Sequence, residues 1–157
     1  MLKYYNYDIV FQEYPDEVTL AINLTLCPNR CVGCHSAFLR DDIGEELSPE
    51  RLTALIDSYD GTITCVGIQG GDNDPEAVLQ LCAYIHEHYD GRSWYSGRTW
   101  LPTPEQLKAS LNYIKTGPYI AKFGPLSSPD TNQRFYRINT EDGSLEDLTH
   151  RFAKKKV

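Results

Sequence analysis

The sequence predicts an α/β fold, an incomplete (β/α) barrel with a mostly parallel sheet of about four to five strands. Three observations predict it. β-prone runs alternate with amphipathic helical runs along the chain, the pattern of parallel strands joined by crossover helices. The same helix-start pattern occurs three times, at Ser48-Pro49-Glu50, Asp74-Pro75-Glu76 and Thr103-Pro104-Glu105. The chain has 157 residues, one domain spanning 1–157, whereas an eight-unit barrel takes about 250.

The elements follow in order. Val18 to Leu26 is the first β-prone run, Thr62 to Ile68 the second, Arg92 to Ser96 the third and Asn112 to Lys115 the fourth. An additional strand near Asp8 to Gln12 can pair with Val18 onward through the turn Tyr14-Pro15-Asp16-Glu17, and Phe135 to Ile138 reads as a final strand. At each helix start the cap oxygen accepts an orphan backbone N–H. Proline at the first helical position loses nothing, and the acid meets the positive end of the helix dipole. Thr103 and Gln106 have the capping-box spacing. Leu52, Leu55, Ile56 and Tyr59 repeat at helical spacing, as do Val78, Leu81, Cys82 and Ile85. The acidic run Asp41, Asp42, Glu45, Glu46 reads as a solvated loop, and the basic tail from His150 as a frayed end.

Apolar residues make up 41% and charged residues 24%, which excludes a disordered chain. No run of 18 uncharged apolar residues is present, so neither a membrane span nor a membrane partner is expected. The opening residues Met1 to Asp8 contain no apolar block of the secretion-signal kind, which predicts a cytoplasmic protein. The net charge is −7, the wrong sign for wrapping nucleic acid.

The five cysteines narrow the function further. An odd number without a secretion signal points to metal binding or catalysis in a reducing compartment. Cys65 lies in the second strand and Cys82 on the apolar stripe of its helix, and both read as core packing. Cys27, Cys31 and Cys34 fall within Cys27-Pro28-Asn29-Arg30-Cys31-Val32-Gly33-Cys34-His35, directly after the first strand. Ligands of open α/β sheets bind at the carboxyl ends of strands. Three soft thiolates suit zinc or an iron–sulfur cluster. A closed zinc site needs a fourth ligand; His35 is poorly placed to supply it, and no second Cys or His pair has zinc-finger spacing. The trio fits a 4Fe–4S cluster with one iron left open, and a zinc-stabilised binding module without catalysis is the alternative.

This Cys-x3-Cys-x2-Cys segment resembles that of the radical S-adenosylmethionine superfamily. Gln69-Gly70-Gly71-Asp72, after the second strand, is similar to that superfamily's glycine-glycine-acid segment. The small size, Trp94-Tyr95-Ser96-Gly97, Gly117-Pro118-Tyr119 and Asn132-Gln133-Arg134 resemble the glycyl-radical activases that serve anaerobic ribonucleoside-triphosphate reductases. The resemblance runs from about Tyr7 to Ile138. It implies that Cys27, Cys31 and Cys34 ligate the 4Fe–4S cluster. Gly33, Cys34 and His35 would contact S-adenosyl-L-methionine, Gly33 and His35 on its adenine side, and Gly70, Gly71 and Asp72 would hold its methionine amino end. The implied reaction is reductive cleavage of S-adenosylmethionine to a 5′-deoxyadenosyl radical, which abstracts hydrogen from a glycine of the partner reductase. A flavodoxin- or ferredoxin-like protein would supply the electron. Activation of another glycyl-radical enzyme, or radical chemistry on a small molecule, is the related alternative. Two departures stand out: Gly33 replaces the aromatic residue often found before the third cysteine, and Asn73-Asp74 intervene before Pro75.

Overall fold

Strands that lie in the middle of a parallel sheet bury side chains on both faces, and the apolar runs of this chain do so. A computed structural model describes residues 2–10, 17–25, 44–59, 61–86, 91–97 and 101–152. Eight strands form one open sheet: β1 (Lys3–Val10), β2 (Thr19–Leu24), β3 (Glu45–Glu46), β4 (Cys65–Gln69), β5 (Arg92–Tyr95), β6 (Tyr113–Thr116), β7 (Arg134–Ile138) and β8 (Leu145–Asp147). Their order is β3-β1-β2-β4-β5-β6-β7-β8. The four central strands, β2, β4, β5 and β6, run parallel, and two antiparallel strands flank them on each side.

The expected strand count of about four to five describes the parallel core alone, and the sheet is mixed, with eight strands. The additional strands are short edge pieces or antiparallel returns. Glu45 and Glu46, expected in a solvated loop, form β3 by pairing with Lys3 and Tyr4; Asp41 and Asp42 lie outside the described residues. β1 begins at Lys3, five residues before the expected Asp8, and extends to Val10. The rest of that expected strand and most of its Tyr14-Pro15-Asp16-Glu17 turn lie outside the described residues. His150 to Phe152, expected to fray, belong to a 3-10 helix at Thr149–Phe152.

Three helices, α1 (Pro49–Asp57), α2 (Pro75–His86) and α3 (Pro104–Ser110), start where the caps predict. Ser48 Oγ accepts from Arg51 N at 3.1 Å, Asp74 Oδ1 accepts from Ala77 N at 3.2 Å, and Thr103 with Gln106 closes a capping box. The parallel strands follow one another across the sheet in chain order, so the winding never reverses. All three helices consequently lie on one face. There Leu20, Ile22, Leu24, Val66, Ile68, Trp94 and Ile114 pack with Leu52, Leu55, Ile56, Val78, Leu81, Cys82, Ile85 and Leu107. Each such Leu or Ile contributes about 1.5–3 kcal/mol of burial.

The opposite face carries no helix among α1 to α3. At β6 and β7 it holds a smaller core of Cys65, Tyr113, Phe135 and Leu148, joined by Tyr95, Leu126 and Phe152. Phe135 stacks on Tyr113 with ring centroids 5.6 Å apart and meets Phe152 edge-on at 4.9 Å. Thr149 Oγ1 accepts from Phe135 N at 2.9 Å, fastening the 3-10 helix to β7. This anchor gives Thr149 to Phe152, at the start of a basic tail, a fixed place in the fold. Phe135→Ala removes the hub of that cluster and is expected to cost about 3–5 kcal/mol, read as a lower urea midpoint with the m-value unchanged.

Candidate cofactor site at the carboxyl rim of the sheet

The carboxyl ends of β2, β4, β5 and β6 share one edge of the parallel core, the edge at which open α/β sheets bind ligands. At β2 the chain reaches Thr25, whose N–H donates to Lys3 O at 2.9 Å. Cys27 follows two residues later. Cys27, Cys31, Gly33, Cys34 and His35 lie outside the described residues. The other three expected contacts, Gly70, Gly71 and Asp72, lie at the end of β4, whose Gln69 pairs with Asn23 of β2.

Gly70 and Gly71 have φ of +101° and +89°, a backbone region open to glycine and costly for other residues. Gly70 N donates to Tyr95 O at 3.0 Å, and Gly70 O accepts from Trp94 Nε1 at 2.7 Å. A Cβ on Gly71 would lie 2.5 Å from Val78 Cγ2 and 3.0 Å from Leu24 Cδ1, so the turn lets α2 seat tightly beside β2. These glycines therefore have a structural reason to be present, independent of any ligand.

Asp72 is only 1% exposed, and its carboxylate faces the end of β5. Ser96 Oγ donates to Oδ1 at 2.6 Å and Gly97 N donates to Oδ2 at 2.8 Å. Hydrogen bonds to a carboxylate are about twice as strong as neutral ones. Asp72 thus ties two neighbouring rim loops together.

The rim connections continue across the sheet. Lys115 Nζ, at the end of β6, donates to Ser96 O at 3.2 Å and Gly117 O at 2.9 Å. Gln133 Nε2 reaches Gly117 O at 3.4 Å, and Asn132 Nδ2 donates to Pro118 O at 3.1 Å. The segments Trp94 to Gly97, Gly117-Pro118 and Asn132-Gln133, separate in sequence, are thereby joined into one rim with Gly70 to Asp72. Arg134 points away from it and pairs with Asp147 of β8 at 3.5 Å, both side chains about half exposed. Lys115 was not singled out by motif; its position as a polar residue near the end of a parallel strand is the signal that identifies it.

On the helix-free face, cross-strand register aligns Asn23, Gln69, Tyr95 and Lys115 in one half-buried polar row beneath this rim. The row below is small and closely packed, with Ala21, Gly67 and Ser93 side by side. Cys65 and Cys82 stand apart from the rim and are buried, as expected of core thiols. Burial pushes each from 9.0 up to about 12. Both are protonated at neutral pH, unsuited to act as nucleophile or ligand.

Among the described residues, no three His, Cys, Asp or Glu side chains are grouped to hold a metal ion, and no helix is long and apolar enough to cross a membrane. No family model, curated protein or solved structure matches the chain.

Asp72→Asn replaces an acceptor with an amide that must turn its NH2 toward Ser96 or Gly97. The expected loss is about 1–3 kcal/mol, measured by urea unfolding of metal-free protein, with Ser96→Ala losing less. The two buried thiols generate a pH dependence. Their folded values lie above the unfolded ones, so their stabilising contribution is complete below pH 9 and declines as pH rises toward 12. Between pH 9 and pH 11, unfolding midpoints are expected to fall more steeply for wild type than for Cys82→Ala. Alkylation of folded protein at pH 8 is expected to spare Cys65 and Cys82.

Proposed function

We propose that this chain is a radical S-adenosylmethionine activase that generates a glycyl radical in an anaerobic ribonucleoside-triphosphate reductase. The observation that carries the reading is the placement of Gly70-Gly71-Asp72. This turn ends the parallel strand adjacent to β2, and β2 leads directly into Cys27, Cys31 and Cys34. Sequential parallel strands with α1, α2 and α3 on one face also favour a short arc of a radical S-adenosylmethionine barrel. The open sheet leaves a side through which a protein substrate can approach.

The donor chemistry fits a 4Fe–4S cluster: three thiols within eight residues and, in the sequence, no well-placed fourth ligand. Cys27, Cys31 and Cys34 would hold it, with Gly33 and His35 beside the adenine of S-adenosylmethionine. The cluster held there would supply the electron for reductive cleavage of S-adenosylmethionine to methionine and a 5′-deoxyadenosyl radical, the species that would take hydrogen from the partner's glycine. A flavodoxin- or ferredoxin-like donor fits the strongly negative potential this requires.

The chain's own residues bind and orient. Asp72 would accept from the methionine ammonium, held in place by Ser96 and Gly97. Trp94 and Lys115 hold the loops around it in fixed positions, the preorganisation that a cofactor-dependent reaction demands of its protein. The polar row of Asn23, Gln69 and Tyr95 lines the approach on the open face.

Anaerobic reconstitution tests the proposal. The expected product carries iron and sulfide, yields 5′-deoxyadenosine when reduced with S-adenosylmethionine, and gives a glycyl-radical spectrum with the reductase. Cys31→Ala is expected to lose 5′-deoxyadenosine formation. A colourless protein with one tight zinc and no sulfide would establish the non-catalytic alternative.

A further inference from the structure

The alternation of strand and helix stops after β6. In place of a crossover helix, residues 117–133 form a 17-residue loop that leaves the carboxyl rim at Thr116 and returns beside it at Arg134. Loops of more than about 12–15 residues without helix or strand are uncommon in compact domains and are usually functional or disordered. This loop is ordered by its own contacts. Asn132 and Gln133 clamp its base to Pro118 and Gly117, and Thr131 and Gln133 are buried there. Leu126 packs into the Phe135 cluster. The tip closes on itself, with Phe123 N and Gly124 N both donating to Ile120 O, at 2.9 and 3.0 Å.

The scaffold holds out an apolar, positively charged tip. All four residues from Ile120 to Phe123 are exposed, Ile120 at 38% and Phe123 at 36%. Lys122 Nζ stands 5.7 Å from the Phe123 ring centroid, so its charge borders the apolar surface. An exposed aromatic and aliphatic pair on a rigid support loses little conformational entropy on binding, the character of an interface anchor. The chain as a whole carries −7, which makes the cationic tip a local exception.

We propose that the 117–133 loop docks the protein whose glycine is activated. Ile120 and Phe123 enter an apolar pocket on that protein, and Lys122 meets a carboxylate at the pocket's edge. The inference rests on the activase reading and deepens it by assigning the surface that recruits the macromolecular substrate. The loop starts and ends on the rim that bears Asp72, so a protein held there lies beside the proposed cofactor site. Electrostatic pairing at the pocket edge makes the association weaken with salt.

The test compares reconstituted wild type with Ile120→Glu/Phe123→Glu and with Lys122→Glu, using the anaerobic ribonucleoside-triphosphate reductase of the same cell as probe. The readouts are 5′-deoxyadenosine formed without reductase, and glycyl-radical yield against reductase concentration. Thermal melting confirms folding, since the altered side chains are exposed. The double variant is expected to need at least about tenfold more reductase for half-maximal radical, and Lys122→Glu several-fold more, with cofactor cleavage unchanged in both. Intact cleavage with a wild-type concentration dependence in the double variant overturns the docking inference alone. A wild type that self-associates through this tip, with the double variant monomeric and equally active on reductase, also overturns it. Absence of cleavage by wild type overturns the activase reading and this inference with it.

Discussion

The hydrogen bonds that the buried Asp72 carboxylate accepts from Ser96 and Gly97 hold the carboxyl rim in its observed shape. They join the turn after β4 to the turn after β5, and Trp94 reinforces the same junction through Gly70. Lys115 extends the connection to β6, and the amides of Asn132 and Gln133 extend it to the start of β7. A rim assembled in this way behaves as a unit, because charge-assisted and buried hydrogen bonds resist piecemeal opening. The sheet supplies the strand ends, and these contacts set the spacing between the loops that follow them.

The single direction of winding has a second effect. With α1, α2 and α3 covering one face, that side becomes a continuous apolar core, while the other face is free to carry polar side chains at mid-sheet. Asn23 and Gln69 occupy strand positions that a doubly covered sheet would fill with Val or Ile. The small residues Ala21, Gly67 and Ser93 form a buried row beneath them. Fold and proposed chemistry are thus linked by topology: what lets the helices share one core also leaves the row of the opposite face nearest the rim to Asn23, Gln69, Tyr95 and Lys115.

Local features of the fold were legible in the sequence because their causes are local. Ser48, Asp74 and Thr103 cap helices through backbone N–H groups three residues away, and the apolar runs around Leu20, Val66 and Ile114 read as central strands without knowledge of their neighbours. Features fixed by distant partners were less visible. Glu45 and Glu46 are a strand only because Lys3 and Tyr4 offer them hydrogen bonds. Phe152 is ordered because Phe135 waits for it across the open face. Nothing in the residue type of Arg92 announces that its side chain lies in the interior. At the rim, the glycine pair and acid stood out as a motif, but not that Asp72 would find donors 24 and 25 residues downstream. The cysteine trio is a pattern within one short segment, which is why it stands out without any tertiary information.

The margins of the sheet bear on how the protein behaves in a crowded solution. One outermost strand consists of two exposed glutamates, and the opposite one reads Leu145-Glu146-Asp147, also exposed. An unpaired strand invites another to zip alongside it, and short, charged margins discourage that. Any two copies approaching edge to edge would bring carboxylates together, a repulsion strongest at low ionic strength. The molecule can therefore leave its sheet open, as the proposed encounter with a large protein substrate requires, while its own margins oppose the ribbon-like stacking that open sheets risk.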